Sequence, residues 1–440
     1  MNDTSNKSFA ASPGSVVEIA ANICTGNTTP SDVVQGYLDR IAAVDSVVNA
    51  WVSVDDAGAL AEASEMTREA ARGEFRGPLH GVPVAIKDIC DVVGWPTRCN
   101  SATRANAGLA TADADIVASL RNAGAIVLGK THTTEFAYYD PSPARNPHNT
   151  DHTPGGSSSG SGAAVGSGMV PAAVGTQTVA SVNRPAAYCG VSAFKPSTRS
   201  MSAYGIAPLA PMYDTPGVYG WGVADAVALY NAVCPPHAHA VDIREHEPRV
   251  LVLDDPFLGE AHDEIIAARD RVADQLRDAG HVVETIASPI SMEALNDVQG
   301  HTTVYELARV HAALLDFPED QVGSVLRQAV IDGAEITDEI YRKDRHEINA
   351  MCAKFYDVVR PTDIVLWPSA PATAPAGLEW TGDRRYIAPW TALGGPVVSM
   401  PSGFGAGEMP IGMLLAGAPG YDRLMAEIAP ILAEAVPQSE

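Results

Sequence analysis

TPGGSSSGSGAAVGSGMVPAAVGTQTVASVNRPAAYCGVSAFKPS, residues 153–197, is the segment from which the interpretation of this chain starts. It contains eight glycines and eleven serines or threonines, and its only charged residues are Arg184 and Lys195. A surface linker would carry more charge and would lack the apolar run from Met169 to Val174. We therefore expect these hydroxyls to be packed in the interior, where a polar group without a partner is costly. Buried hydroxyls beside a glycine-rich backbone suit a serine-based reaction centre.

Composition narrows the class of protein. The 440 residues are 46% apolar, which is enough for a large core. Lys and Arg number 29 against 53 Asp and Glu, and the resulting net charge of -24 disfavours nucleic acid and anionic membranes as partners. No stretch approaches the roughly 20 apolar residues of a membrane span, and the N-terminus has no apolar signal-peptide core.

The cysteines are scattered, with no CxxC pair. They are Cys24, Cys90, Cys99, Cys189, Cys234 and Cys352. This usage is typical of a cytosolic protein with free thiols. We therefore expect a cytoplasmic location and no metal.

Strands and helices alternate at both ends of the chain, which predicts an α/β sheet covered by helices on both faces. We expect one domain, 1–440, with a helical entry (1–75), a core (about 78–200) and a C-terminal α/β portion (201–440). Two helices are predicted within 14–46, and a third ends at about Ala71. Further helices are predicted over 112–122, 133–139, 223–234, 260–279, much of 291–360, and 421–435. Strands are predicted near 50–54, up to Lys87, and at 125–128, 249–253, 281–286, 363–367, 396–400 and 411–415.

Three local motifs point to functions that their context disfavours. GAIVLGKT (124–131) matches a phosphate-binding loop, but its four apolar intervening residues predict a strand after a helix. GSSSG (156–160) matches the nucleophile elbow with Ser158, but the polar segment NTDHTPG precedes it instead of an apolar strand. The histidines of this region match no common zinc spacing. They are His132, His148 and His152.

Three separated motifs together resemble the amidase signature family: GVPVAIKD (81–88), GGSSSGS (155–161) and GTQTVASVNRPAAYCG (175–190). The resemblance covers most of the chain, and the 24-residue separation of Ser157 and Ser181 matches the family's spacing. It implies a single large domain built on a twisted mixed sheet.

The resemblance also implies a Ser–Ser–Lys triad in which Ser181 is the nucleophile, Ser157 the bridging serine after a cis peptide bond, and Lys87 the base. A serine attacks a carbonyl only when a base takes its proton, and a lysine does so only as a neutral amine. Burial would have to lower the lysine pKa by roughly 3 units from about 10.4. The apolar strand before Lys87 is a suitable place for such burial.

An oxyanion hole is implied at the backbone amides of Thr178, Val179, Ala180 and Ser181. Here the chain departs from most relatives, which have Asp-x-Gly-Gly-Ser where this chain has Gln177-Thr178-Val179-Ala180-Ser181. Valine resists a positive φ that glycine permits. Either Val179 keeps a negative φ or the hole is reshaped.

The implied activity is hydrolysis of a neutral amide without metal or cofactor, with aryl amides, anilides and carbamates as expected substrates and esters as side substrates. Expected partners are a small-molecule substrate and a second copy in a homodimer. Three alternatives remain: the glutamine-hydrolysing subunit of an amidotransferase, an inactive binding protein of the same fold, and nucleotide binding at 124–131. Large side chains form the expected substrate pocket: Phe136, Tyr138, Tyr139, Met212 and Trp390.

Overall fold

The computed structural model describes residues 8–234 and 248–437. Over these residues the chain forms one sheet of eleven strands and thirteen α-helices. The strands are β1 Trp51–Val54, β2 Pro83–Lys87, β3 Ile126–Thr131, β4 Ala172–Gln177, β5 Ser192–Lys195, β6 Thr215–Gly220, β7 Val250–Asp254, β8 Val283–Ala287, β9 Ile364–Pro368, β10 Val397–Phe404 and β11 Pro410–Ala416. The helices are α1 Val16–Thr25, α2 Pro30–Val48, α3 Asp56–Ala70, α4 Asp115–Asn122, α5 Ser159–Gly166, α6 Asn183–Tyr188, α7 Val223–Val233, α8 Asp263–Asp278, α9 Met292–Val310, α10 Ser324–Glu335, α11 Asp338–Tyr356, α12 Ala388–Leu393 and α13 Asp422–Glu434.

The sheet is mixed, and its strand order is β1-β3-β2-β4-β6-β5-β10-β11-β9-β7-β8. β2 runs parallel to both β3 and β4, and β7 runs parallel to both β8 and β9, while the other pairs are antiparallel. Alternate residues of β2 enter different cores, with Val84 and Ile86 in one cluster and Ala85 in the other. This alternation is that of a sheet buried on both faces, and it confirms the predicted fold class.

Most predicted elements form within a few residues of their expected bounds. α2 begins as its sequence indicates, because the Thr29 side chain accepts from the Asp32 amide and Pro30 is the first helical residue. Lys87 is the last residue of β2, as the alternation of its strand predicts. The segment 124–131 continues into β3 rather than a phosphate-binding loop.

The helix predicted over 133–139 is wrong. The structure has only a short 3₁₀ turn, Glu135–Ala137, in which Phe136 has φ +44°. Three backbone hydrogen bonds fold this segment into a tight turn: from Phe136 to the Cys99 carbonyl, from Glu135 to Asp140, and from Ala137 to Thr134. These bonds compete with those of a helix.

The strand β6 has no counterpart among the predicted strands, although it lies near the middle of the sheet between β4 and β5. Its sequence TPGVYG contains one proline and two glycines, which disfavour strands in isolation. Pairing on both sides with buried strands overrides that local preference. Among the described residues, no helix combines the length and hydropathy needed to cross a membrane.

Candidate active site

Lys87 lies at the end of β2 with its ammonium group wholly inside the protein. Nζ donates to Ser157 Oγ at 2.7 Å and to Thr176 Oγ1 at 2.9 Å. Thr176 belongs to β4, the parallel neighbour of β2, so the sheet itself brings this hydroxyl to the lysine. Both partners of the lysine are neutral hydroxyls.

The surroundings of Lys87 favour its neutral form. Burial lowers its pKa to about 7, and the weaker attraction of acidic groups, among them Asp214, opposes the shift. A substantial fraction of the lysine is therefore an unprotonated amine near neutral pH. This is the state that a lysine base requires.

Ser157 follows a cis peptide bond from Gly156, as the resemblance implies. Arg184, which is fully buried, donates from Nη2 to the Gly156 carbonyl at 2.7 Å. The Ser157 carbonyl accepts from the Thr134 amide at 3.1 Å. The backbone on both sides of the serine is thus held by residues distant in sequence.

Ser181 lies in the turn between β4 and α6 and is 8% exposed. Its carbonyl accepts from the Ser158 amide at 3.3 Å, which joins the two serine segments. The Gln177 side chain closes the turn, because its Oε1 accepts from the amides of Val182 and Asn183 at 2.9 and 3.0 Å. Among the described residues, no hydrogen bond joins the Ser157 and Ser181 hydroxyls.

The backbone of residues 178–181 has unpaired amides and anchored carbonyls. The Thr178 carbonyl accepts from Gln299 Nε2 at 3.1 Å, and the Val179 carbonyl accepts from Thr391 Oγ1 at 2.7 Å. Within the described part of the chain, no protein acceptor pairs with the four amides of this segment. Preorganised amides without acceptors are suited to a developing oxyanion.

None of residues 178–181 has a positive φ, so Val179 keeps a conformation that valine tolerates. Val179 and Ala180 join an apolar cluster that contains Trp390, Tyr386 and Trp367. The larger side chains at these two positions therefore pack against the C-terminal part of the protein, and the loop does not need glycine.

The residues expected to form the substrate pocket separate into two groups. Trp390 is 3% exposed and packs against Phe355 and Trp367, so it belongs to the core. Phe136 is buried against His311, at 4.8 Å between ring centroids. The others are partly exposed: Tyr138, Tyr139 and Met212.

A narrow cavity lies beside the site, and its lining contains none of the five expected pocket residues. Thr176 and Thr178 line it together with Asp214, and apolar residues complete the wall, among them Ile89 and Leu209. Asp214 is partly buried and accepts from Thr178 Oγ1 at 2.5 Å and from the Leu209 amide at 2.8 Å. Burial raises the pKa of this carboxyl group.

Sequence reasoning missed the residues that support the site. These are Thr176, Gln299, Thr391 and Asp214. For Thr176, its place two residues before the predicted oxyanion segment is an available signal. For Gln299 and Thr391 we find no sequence signal, since they lie 121 and 212 positions from their partners.

The disfavoured motifs have other structural roles. Ser158 precedes α5, is fully buried, and accepts from the Thr176 amide at 3.3 Å. His148 Nε2 contacts the Cys189 carbonyl at 3.1 Å, and burial lowers the pKa of His132 to about 4. Within 8–234 and 248–437, no three His, Cys, Asp or Glu side chains form a potential metal site.

Comparison with known proteins agrees with the fold. The Amidase family model matches residues 32–425, and the chain therefore belongs to that family. The family places it among hydrolases of carbon–nitrogen bonds.

Individual relatives cover nearly all of the chain. The A-type subunit of the glutamyl-tRNA(Gln) amidotransferase of Thiobacillus denitrificans is 29% identical over 454 residues, which span 92% of this chain and 93% of that protein. The crystal structure of an amidase superposes with a TM-score of 0.86 at 29% identity, covering 96% of this chain and 100% of that one. The peptide amidase of Stenotrophomonas maltophilia superposes with a TM-score of 0.84 at 25% identity, covering 98% and 99%.

Proposed function

We propose that the chain hydrolyses neutral amides through an acyl-enzyme on Ser181. The observation that carries this proposal is the fully buried Lys87 Nζ, 2.7 Å from Ser157 Oγ, with its pKa lowered to about 7. The neutral amine takes the Ser157 proton, and Ser157 takes the Ser181 proton as Ser181 Oγ attacks the carbonyl carbon. The serine-to-serine hydrogen bond of this relay forms when substrate is bound, as catalytic contacts often do.

The remaining steps use the same groups. Backbone amides of residues 178–181 donate to the negative oxygen of the tetrahedral intermediate. The proton held on Lys87 returns through Ser157 to the amine as the C–N bond breaks. Water then attacks the acyl-enzyme, giving its proton to the relay, and Ser181 is released with the carboxylic acid product.

The substrate class is a small aryl amide, anilide or carbamate, so the enzyme acts as a urethanase on the last of these. The partly exposed aromatic side chains of Tyr138 and Tyr139, expected in the pocket, support this choice. Esters react as well, because they share the acylation chemistry. No cofactor is required for these steps.

A fluorophosphonate probe tests the nucleophile directly. We expect a single adduct on the peptide that contains Ser181, found by mass mapping, and no adduct in the Ser181→Ala variant. Ser158→Ala is the matched control, because this buried serine lies in the same region and should leave labelling intact. An adduct on Ser158, or no adduct on the wild-type protein, would overturn the proposal.

A second candidate is glutamine hydrolysis within an amidotransferase. The similarity to a glutamyl-tRNA(Gln) amidotransferase over 92% of the chain favours it. The net charge of -24 favours the first proposal, since tRNA is a polyanion that an acidic protein repels. Val179 and Ala180, which replace the usual Gly-Gly beside the nucleophile, also favour it. Ammonia release from glutamine, measured with and without candidate partner chains, separates the two functions. Turnover of any simple aryl amide excludes a binding protein without activity.

A further inference from the structure

Arg384 is a charged side chain near the candidate site that forms no hydrogen bond or ion pair with the residues the structure describes. It precedes α12 and is only partly buried. Over the described residues, neither a hydrogen-bond acceptor nor a carboxylate pairs with its guanidinium group. Its neighbour Arg385 differs, because it binds Asp383 at 2.7 Å and Glu260 at 2.8 Å. The nearby carboxylates are engaged by Arg385, and the charge of Arg384 remains available to an external anion.

The position of Arg384 relates it to the oxyanion segment. A Cβ atom added at Gly300 of α9 would lie 3.4 Å from its Nη2. The preceding residue, Gln299, donates to the Thr178 carbonyl. On another side, the Arg384 Cζ atom lies 5.6 Å from the centre of the Tyr139 ring, within the range of a cation–π contact.

The chain just before Arg384 is fixed to the segment that carries Ser157. Arg184 donates to the Gly382 carbonyl and to Thr381 Oγ1, and the same guanidinium donates to the Gly156 carbonyl. The backbone before Arg384 is therefore connected to the segment that carries Ser157, and the guanidinium group lies beside α9. Placement of a charged group by the surrounding structure is what a specificity residue requires.

The charge of Arg384 contrasts with that of the protein as a whole. A net charge of -24 repels anionic small molecules in general. A guanidinium group without a partner provides local compensation, since its planar donors match both oxygens of a carboxylate. The fully buried Arg184 adds a second positive charge in the same region.

We propose that Arg384 selects amide substrates that carry a carboxylate group away from the scissile bond. This inference rests on the proposed amide hydrolysis, which it deepens by naming the substrate class. The carboxylate can lie on the acyl portion or on the amine portion, and the test distinguishes these two positions.

Two matched substrate pairs provide the kinetic test. The first pair is glutaryl 4-nitroanilide, which carries a carboxylate on its acyl portion, and the neutral valeryl 4-nitroanilide. The second pair is 4-acetamidobenzoate, which carries a carboxylate on its amine portion, and the neutral acetanilide. We expect kcat/KM to favour the charged member of one pair by at least tenfold in the wild type. The Arg384→Gln variant should reduce this ratio at least tenfold, and Arg384→Lys should reduce it less.

Arg385→Gln is the matched control, because it removes a neighbouring arginine whose charge is already paired. We expect its charged-to-neutral ratio to stay within twofold of the wild type. A wild-type ratio of one or less in both pairs would overturn the proposal. So would a ratio that Arg384→Gln leaves unchanged.

Binding separates this inference from the proposed function. The same amides are titrated calorimetrically into Ser181→Ala and into Ser181→Ala with Arg384→Gln. We expect the charged amide to bind at least tenfold more tightly to the first protein and to lose that preference in the second. Full turnover by Ser181→Ala would refute the nucleophile, whereas equal binding of charged and neutral amides would refute the role of Arg384.

Discussion

Lys87 and Lys130 are buried lysines on adjacent parallel strands with different partners. The register of β2 and β3 places Ile86 opposite Lys130, and neither lysine is more than 1% exposed. Lys130 Nζ lies 2.9 Å from the buried Asp88 carboxylate and 3.2 Å from Thr97 Oγ1. Lys87 has two hydroxyl partners and no carboxylate within ion-pair distance among the described residues.

The comparison shows that burial alone does not decide what a lysine does. A carboxylate compensates a buried ammonium, and the pair then acts as a structural unit. Hydroxyls compensate it poorly, so the proton is held weakly and can be transferred. Substitutions at the two lysines and at their hydroxyl partners test each side of this difference.

The largest effect is expected on activity when Lys87 is replaced. Lys87→Met removes the proposed base and should lower kcat/KM on an aryl amide by about 10³-fold, within the usual range for general-base catalysis. Lys343→Met, which removes an exposed lysine, should leave activity unchanged. Retention of a tenth or more of the activity by Lys87→Met would refute its role as base.

The corresponding change at Lys130 should act on stability. Lys130→Met leaves Asp88 buried without its ion-pair partner, which is expected to lower the free energy of unfolding by about 3–5 kcal/mol. Urea unfolding at pH 7 measures this loss. The double variant Lys130→Met with Asp88→Asn should lose less unfolding free energy than Lys130→Met alone, because the uncompensated charge is gone. Wild-type stability in Lys130→Met would show that the pair contributes nothing.

Lys87→Met should have the opposite effect and stabilise the protein at pH 7. The folded pKa of about 7 lies below the ordinary value of 10.5, so between these values the unfolded chain binds a proton that the folded protein lacks. Lys87 therefore lowers the free energy of unfolding, and this destabilisation is largest at and below pH 7 and disappears above pH 10.5. Methionine removes this cost to folding stability, which is about 5 kcal/mol at most before lost hydrogen bonds are counted.

The measurement is the difference in unfolding free energy between wild type and Lys87→Met at pH 7 and at pH 10. The stabilisation should be about 1–3 kcal/mol at pH 7 and should fade as the pH rises. A destabilised variant whose difference from wild type is independent of pH would contradict the depressed pKa.

The same contrast explains what the sequence could predict. Local patterns identify β2 and the cap at Thr29, because each depends on near neighbours in the chain. They miss β6, because its proline and glycines oppose a strand locally and only its two partner strands stabilise it. They miss the turn at Phe136 for the related reason that its bond to Cys99 is nonlocal.

For the site, the family resemblance supplies the candidate residues, whereas the structure supplies their surroundings. Nothing in the sequence indicates that Lys130 has a carboxylate partner and Lys87 has Thr176, since the latter contact spans 89 positions. Trp390, an aromatic residue expected in the pocket, packs in the core with Trp367. The sequence could not separate core from pocket, because both favour large apolar side chains.

The smallest expected effect concerns Thr176, whose hydroxyl is the second hydrogen-bond partner of Lys87. Activity should rise with pH through a midpoint near 7, as the amine loses its proton. Thr176 Oγ1 accepts from the ammonium at 2.9 Å and so stabilises the charged form. Thr176→Val removes that acceptor and should lower the lysine pKa further, moving the midpoint of kcat/KM to lower pH by up to about one unit.

Thr97→Val is the matched control, because it removes the hydroxyl beside Lys130 and should leave the midpoint in place. A midpoint that rises in Thr176→Val, or that shifts equally in both variants, would mean that the hydroxyl does not set the protonation of Lys87.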